Sequence, residues 1–258
     1  MEAPAVEAVL EVTRDGQVAV VALTRGKVNA IDVALLGELR ATLDLLERDD
    51  DVGAVVLTGA GRVFSAGVDL RRVVDGDDTY AAELVAGLAA VFETLFRFPK
   101  PTVAGVNGAA VAGGCVLACA CDRRVMARGA SIGASELVVG VPFPASAVEI
   151  LRHACGPATE DVVFSGRLLD AGEAQTLGMV HEVVEADAVG SRAAAVAAEL
   201  AARAPTAFVL AKEQLRRPAL ERMRGDGPAL DAVVARTWAA PDTRRRIRAQ
   251  LDRMATRC

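Results

Sequence analysis

Two short segments, GAVVLTG (Gly53–Gly59) and KPTVAGVNG (Lys100–Gly108), are apolar at almost every position and end in glycine. A strand with no polar alternation has no face to give to water, so it must be covered on both sides. That requirement points to parallel strands inside a layered α/β core. DRRVMA (Asp122–Ala127) reads as a further strand of the same kind.

The segments around these strands have other periods. EAVLEVTRDGQVAVVALT alternates apolar and polar around Asp15-Gly16, which predicts a β-hairpin with strands near residues 7–14 and 17–24. Asp32 caps a helix over VALLGELRATLDLLER, and a second helix is expected from Thr79 to Phe98. A helix of small residues starts at Gly113. From about residue 195 the chain reads as helical, broken at Pro205, Pro218 and Pro241. We therefore divide it into an α/β core over 1–194 and a helical region over 195–258.

Hydrophobic residues make up 52% of the 258, enough for a large core, but aromatics are only 3%, so stacking on bases is a poor basis for binding. The net charge of −5 argues against a nucleic-acid partner. RRRIR (Arg244–Arg248) is best read as the solvated face of a C-terminal helix. No uncharged apolar stretch reaches the ~18–20 residues of a membrane span. The N-terminal MEAPAVEAVLEV lacks the basic start of a signal peptide. Five cysteines, three crowded as Cys115, Cys119 and Cys121, suggest reduced thiols and a cytoplasmic location.

Most familiar catalytic patterns fail here. Gly59-x-Gly61 follows a strand, but Phe64 stands where a dinucleotide fingerprint needs its third glycine. Cys115 and Cys119 share a helical face without a second ligand pair, so buried thiols are expected rather than a metal site. His153 and His181, the two histidines, read as structural. There is no P-loop. What remains is a pair of glycine-containing turns after buried strands, FSAGVD and VNGAAVAGGC. Such turns serve equally as tight packing or as two converging backbone N–H donors, an oxyanion hole.

Taken in order, KVNAID (Lys27–Asp32), VLTGAGRVFSAGVDL (Val56–Leu70), KPTVAGVNGAAVAGGCVLACACDRRV (Lys100–Val125), ASELVVGVP (Ala134–Pro142) and AGEAQTLGMVHEVV (Ala171–Val184) resemble the crotonase, or enoyl-CoA hydratase/isomerase, superfamily. The resemblance implies a spiral of β-β-α units with a helical C-terminal trimerisation region, in a homotrimer or hexamer. It implies an acyl-CoA thioester as ligand, coenzyme A entering as part of the substrate with no separate cofactor. The oxyanion hole would be the N–H groups of Val68 and Gly113. Lys27 would reach a CoA phosphate, with Lys212 a weaker candidate. Ala30, Ala66, Gly67, Asp69, Leu70, Gly114, Val116 and Phe143 would contact the CoA or acyl part.

Hydratases of the family carry two glutamates. The first falls two residues after the Gly-Gly pair, where this chain has Val116; the second is present as Glu136. One carboxylate suits a proton shuttle from C2 to C4 of a 3-enoyl-CoA, as in the single-glutamate isomerases of fatty acid metabolism. VPFPASAVEIL also replaces the glycine-rich turn of the hydratases, so Phe143 is expected to reshape the acyl pocket. Three readings stay open: an isomerase, a hydratase or other lyase on an unusual acyl-CoA, and a non-catalytic acyl-CoA-binding paralogue.

Overall fold

The computed structural model describes residues 8–256. The hairpin is β1 (Leu10–Asp15) and β2 (Val18–Leu23), antiparallel, with Leu10 opposite Leu23. The sequence placed the start of the first strand at residue 7, which lies outside the described residues. Asp32 then caps α1 (Val33–Arg48), its carboxylate accepting from the Leu35 N–H at 2.8 Å.

Three turns of a spiral follow. The first contains β3 (Ala54–Gly59), β4 (Val63–Ser65), α2 (Leu70–Asp75) and α3 (Asp78–Arg97). The second contains β5 (Thr102–Val106), β6 (Ala109–Val111) and α4 (Gly113–Ala120). The third contains β7 (Arg123–Ala127), β8 (Ser131–Gly133) and α5 (Glu136–Val139). In each turn the first strand joins a six-stranded sheet and the second a four-stranded one. The chain continues through α6 (Ala145–Cys155), α7 (Thr159–Ser165), β9 (Leu169–Asp170), α8 (Ala171–Thr176) and β10 (Glu182–Val184). The large sheet runs β1-β2-β3-β5-β7-β10, parallel from β2 onward; the small sheet runs β4-β6-β8-β9.

Both faces of the large sheet are covered, as its apolar strands require. Val55 and Leu57 face the main core with Leu35, Leu39, Phe92 and Phe96. Ala54 and Val56 face a second cluster with Ala193, Val196 and Ala197 of α9 (Val189–Ala201). The boundary drawn at residues 194 and 195 thus falls inside a helix that covers the sheet.

The helical C-terminal region is α10 (Pro205–Gly225), α11 (Gly227–Ala239) and α12 (Pro241–Ala255). Pro205 and Pro241 each stand at the first helical position, where no N–H is needed. Pro218 does not break the chain as expected: α10 runs through it. An internal proline costs about 3 kcal/mol, and α10 is held on both sides of it, by buried Lys212 and Arg216 before and by Ala219 and Met223 after. α11 packs along α3, and α12 along α2. By length and composition α3 is apolar enough to cross a bilayer. Its Leu84, Leu88, Phe92 and Phe96 are buried in the core, which accounts for that composition.

Candidate active site

The three site segments occupy equivalent places in the three spiral turns. Each follows the carboxyl end of a strand in the small sheet: Ala66 to Val68 after β4, Ala112 and Gly113 after β6, Ser135 and Glu136 after β8. Together they line a cavity of about 320 Å³. Ligand crevices of α/β proteins form at such strand ends, where successive loops converge.

Gly67 explains how the first two segments meet. Its φ is +81°, and a Cβ there would lie 2.7 Å from the Val111 carbonyl oxygen and 3.4 Å from the Gly113 nitrogen. Only glycine allows that approach. At Gly114 a Cβ would lie 2.6 Å from the Ser65 carbonyl oxygen, so the second glycine of the pair lets α4 press against β4. Ala112 is held at φ +51°, a conformation costly for a residue with a side chain and typical of functional turns. Among the described residues neither the Val68 nor the Gly113 N–H donates to another protein group, whereas Ala66 donates to the Val28 carbonyl at 2.9 Å and Asp69 to the Ile31 carbonyl at 2.9 Å. Two unspent backbone donors therefore stand side by side, one of them at the positive end of α4.

Glu136 opens α5 and is 7% exposed. Its Oε2 is buried without a hydrogen-bond partner. Burial pushes its carboxyl up to about 8, offset only in part by its own backbone N–H. It is the one ionisable side chain among the described residues on the cavity wall; the rest is apolar apart from Ser135 and Gln250.

Of the residues singled out from the sequence, Ala66, Val68, Leu70, Gly113 and Glu136 line the cavity. Gly67 and Gly114 shape it from behind. Val116 and Phe143 do not reach it. All eight residues of α4 are buried, and Val116 lies wholly in the core at 0% exposure. Phe143, between two prolines, turns into the same core. Asp69 caps α2, accepting from the Arg71 and Arg72 N–H groups at 3.1 and 3.2 Å. Lys27 is exposed in the turn before Ala30. Lys212 is not available to a phosphate: it is buried and its Nζ lies 2.8 Å from the Asp122 carboxylate.

The histidines are structural. His181 accepts the Arg124 backbone N–H at 3.1 Å, and burial followed by the Arg124 charge pushes it down to about 3. It precedes β10 rather than lying in a strand. His153, inside the last turn of α6, meets Phe96 edge-on at 5.2 Å. The four described cysteines are buried and free. Among the described residues no group of three or more His, Cys, Asp or Glu side chains is placed to hold a metal ion.

The C-terminal helices supply what sequence reasoning missed. Trp238 of α11 and Gln250 and Met254 of α12 line the cavity, as do Leu88 and Phe92 of α3. The one available signal was that the chain has a single tryptophan, placed beyond the core segments.

A spiral of strand–strand–helix units carrying paired backbone donors and a carboxylate around one cavity defines a crotonase-fold protein. The enoyl-CoA hydratase/isomerase family model matches residues 13–244. A Thermus thermophilus protein bearing an enoyl-CoA hydratase name is 40% identical over 206 residues, 78% of this chain and 81% of its own. The structure of human mitochondrial delta3-delta2-enoyl-CoA isomerase is similar at a TM-score of 0.92 and 27% identity, covering 97% of this chain and 99% of that one. EchA3 of Mycobacterium tuberculosis, also bearing a hydratase name, has a TM-score of 0.83 and 33% identity over 89% of this chain and 98% of its own. The chain belongs to the enoyl-CoA hydratase/isomerase family, enzymes that act on acyl-CoA thioesters.

Proposed function

We propose that the protein is an enoyl-CoA isomerase that moves a double bond from the 3- to the 2-position of an acyl-CoA. The observation that carries this reading is that Glu136 is the single ionisable side chain among the described residues on a largely apolar wall, which two unspent N–H donors share. A hydratase divides activation of water between two carboxylates. A 1,3-proton shift needs one group that takes a proton and returns it.

The thioester oxygen accepts from the Val68 and Gly113 N–H groups. Ionised Glu136 removes a proton from C2, and the negative charge of the dienolate gathers on that oxygen, where the donors and the α4 dipole stabilise it. Glu136, now protonated, delivers the proton to C4. The apolar wall keeps water from competing for the intermediate. The likeness to the human isomerase structure extends through the C-terminal helices, which supports the same reading.

Proton NMR in deuterated water with 3-hexenoyl-CoA, beside a 2-hexenoyl-CoA control, tests it. The expected product is the 2-enoyl thioester carrying deuterium at C2 or C4, with no 3-hydroxy species. A 3-hydroxyacyl product would make the protein a hydratase. Binding without conversion of either substrate would favour the non-catalytic reading.

The pH dependence is a second check. The base form of Glu136 starts the reaction, and its carboxyl titrates at about 8 in the empty site. The profile of kcat/KM should rise with one ascending limb through that pH, because kcat/KM reports the free enzyme. A bell with two carboxylate limbs would contradict a single acid/base.

Gly67→Ala should separate the two donor segments, since the added methyl meets the Val111 carbonyl. Loss of one oxyanion donor typically lowers kcat by roughly 10²- to 10³-fold. Steady-state kinetics should show that fall in kcat while affinity for a saturated acyl-CoA changes far less.

A further inference from the structure

The isomerase reading places an acyl chain in the cavity but not the point where that chain must end. A space of about 320 Å³ lies near the lower bound for pockets that hold drug-sized ligands, so a whole CoA thioester does not fit and the acyl part alone enters. Trp238 lines this space from α11 and is 2% exposed. Its indole is clamped: Nε1 donates to the Pro142 carbonyl at 2.9 Å. α11 itself is fixed along α3 and against α6.

The clamp has a defined relation to the chemistry. Val141, next to Pro142, donates its N–H to the Glu136 carbonyl at 3.1 Å. One short backbone segment therefore carries the carboxylate at its start and the anchor of the indole at its end. The indole is tied to Glu136 through Pro142 and Val141, so it is fixed to the segment that carries the carboxylate. Met254 on α12, 53% exposed, is a flexible side chain at the rim and sets no such limit.

We propose that Trp238 sets the acyl-chain length this protein accepts, its clamped indole being the wall at which the distal carbons of the chain stop. This rests on the acyl-thioester reading above. It assigns the length limit to a C-terminal helix rather than to the Phe143 loop that the sequence pointed to.

The sole indole is also the probe. Wild-type protein is titrated with saturated acetyl-, hexanoyl-, decanoyl- and hexadecanoyl-CoA, following tryptophan emission and the heat of binding. Affinity should rise roughly fourfold per added methylene while the chain stays in the cavity, then level off or fall. Emission should change with chains long enough to reach the indole and stay flat with acetyl-CoA. Trp238→Leu and Trp238→Ala should move the limit to longer chains, the alanine variant further than the leucine variant. Trp238→Phe, which keeps a ring but loses the hydrogen bond, should move it least.

An emission response to acetyl-CoA as large as that to decanoyl-CoA would overturn the proposal, and this arm needs no variant to fold. So would an unchanged length limit in folded Trp238→Leu, which would leave the acyl-thioester reading intact. Absence of binding at every length would overturn that reading and the length limit with it.

Discussion

Glu136→Gln should lower turnover by roughly 10³- to 10⁴-fold, at the upper end of what a positioned acid/base contributes, while leaving acyl-CoA affinity within a few-fold of wild type. The amide keeps the shape of the side chain, so the cavity and the two N–H donors stay as they are. What disappears is the one ionisable side chain among the described residues on the wall. Retained turnover, measured by the appearance of the 2-enoyl thioester, would remove Glu136 from the mechanism.

The same substitution should make the protein more stable at alkaline pH. The Glu136 carboxyl titrates near 4.5 in the unfolded chain and at about 8 in the native cavity. Between those values the native state holds a proton that the unfolded state has released. Stability therefore falls as pH rises through this window, by at most about 5 kcal/mol. Glutamine does not titrate, so the melting temperature of Glu136→Gln should match wild type near pH 4.5 and exceed it at pH 8 and above. Calorimetric scans across that range would check it. A difference that does not grow with pH would mean the carboxylate is less buried than its geometry indicates. Activity and stability thus pull in opposite directions at one residue, as expected where a buried charge is kept for chemistry.

Asp122→Asn should destabilise the fold by roughly 3–5 kcal/mol, the cost of leaving buried charges without their partner. The Asp122 carboxylate lies 2.8 Å from Lys212 Nζ and 2.9 Å from the Arg216 guanidinium, and all three side chains are buried or nearly so. It also accepts from the Thr102 N–H at 2.7 Å and hydroxyl at 2.9 Å. Arg216 in turn stacks on Phe96 at 4.2 Å and donates to the carbonyls of Phe96 and Ala120. One carboxylate thus ties α10 to the ends of α3 and α4 and to the start of β5.

For a chain of this size that loss amounts to a fall in melting temperature of roughly 6–20 °C at pH 7. Burial already lowers the Lys212 ammonium to about 8, so at pH 9.5 the native lysine is largely neutral and the deficit should narrow. Denaturant titrations at both pH values would measure this. An equal deficit at the two would place the destabilisation on Arg216 alone.

Much of the fold is written in local patterns. Ala54–Gly59 and Thr102–Val106, apolar but for one threonine each, read as strands covered on both faces, because neither has a polar alternation to give to water. Asp15-Gly16 placed the hairpin, and Asp32 placed the start of α1. Glu136 was legible only through the family resemblance, which puts it at the place of the second hydratase glutamate.

The other assignments depended on which surfaces meet. Val116 and Phe143 are apolar residues near the site in sequence, and burial in the core satisfies an apolar side chain as well as a place on a cavity wall. Nothing local distinguishes the two. Lys212 looked like a solvated lysine reaching for a phosphate until Asp122, ninety positions away, was seen beside it. Pro218 looked like a helix stop, but anchors on both sides carry α10 across the missing hydrogen bond.

Local chemistry along the chain thus set the strand and helix alphabet, the glycines at positions that tolerate no side chain, and the presence of one acid where two are usual. Folding in three dimensions was needed to bring the ends of three successive small-sheet strands to one cavity, and to complete its wall with Trp238 and α12. Those outcomes come from non-local packing, in which segments more than a hundred residues apart are brought together by burying apolar surface. That driving force has no direction and leaves no mark in the local pattern of either segment.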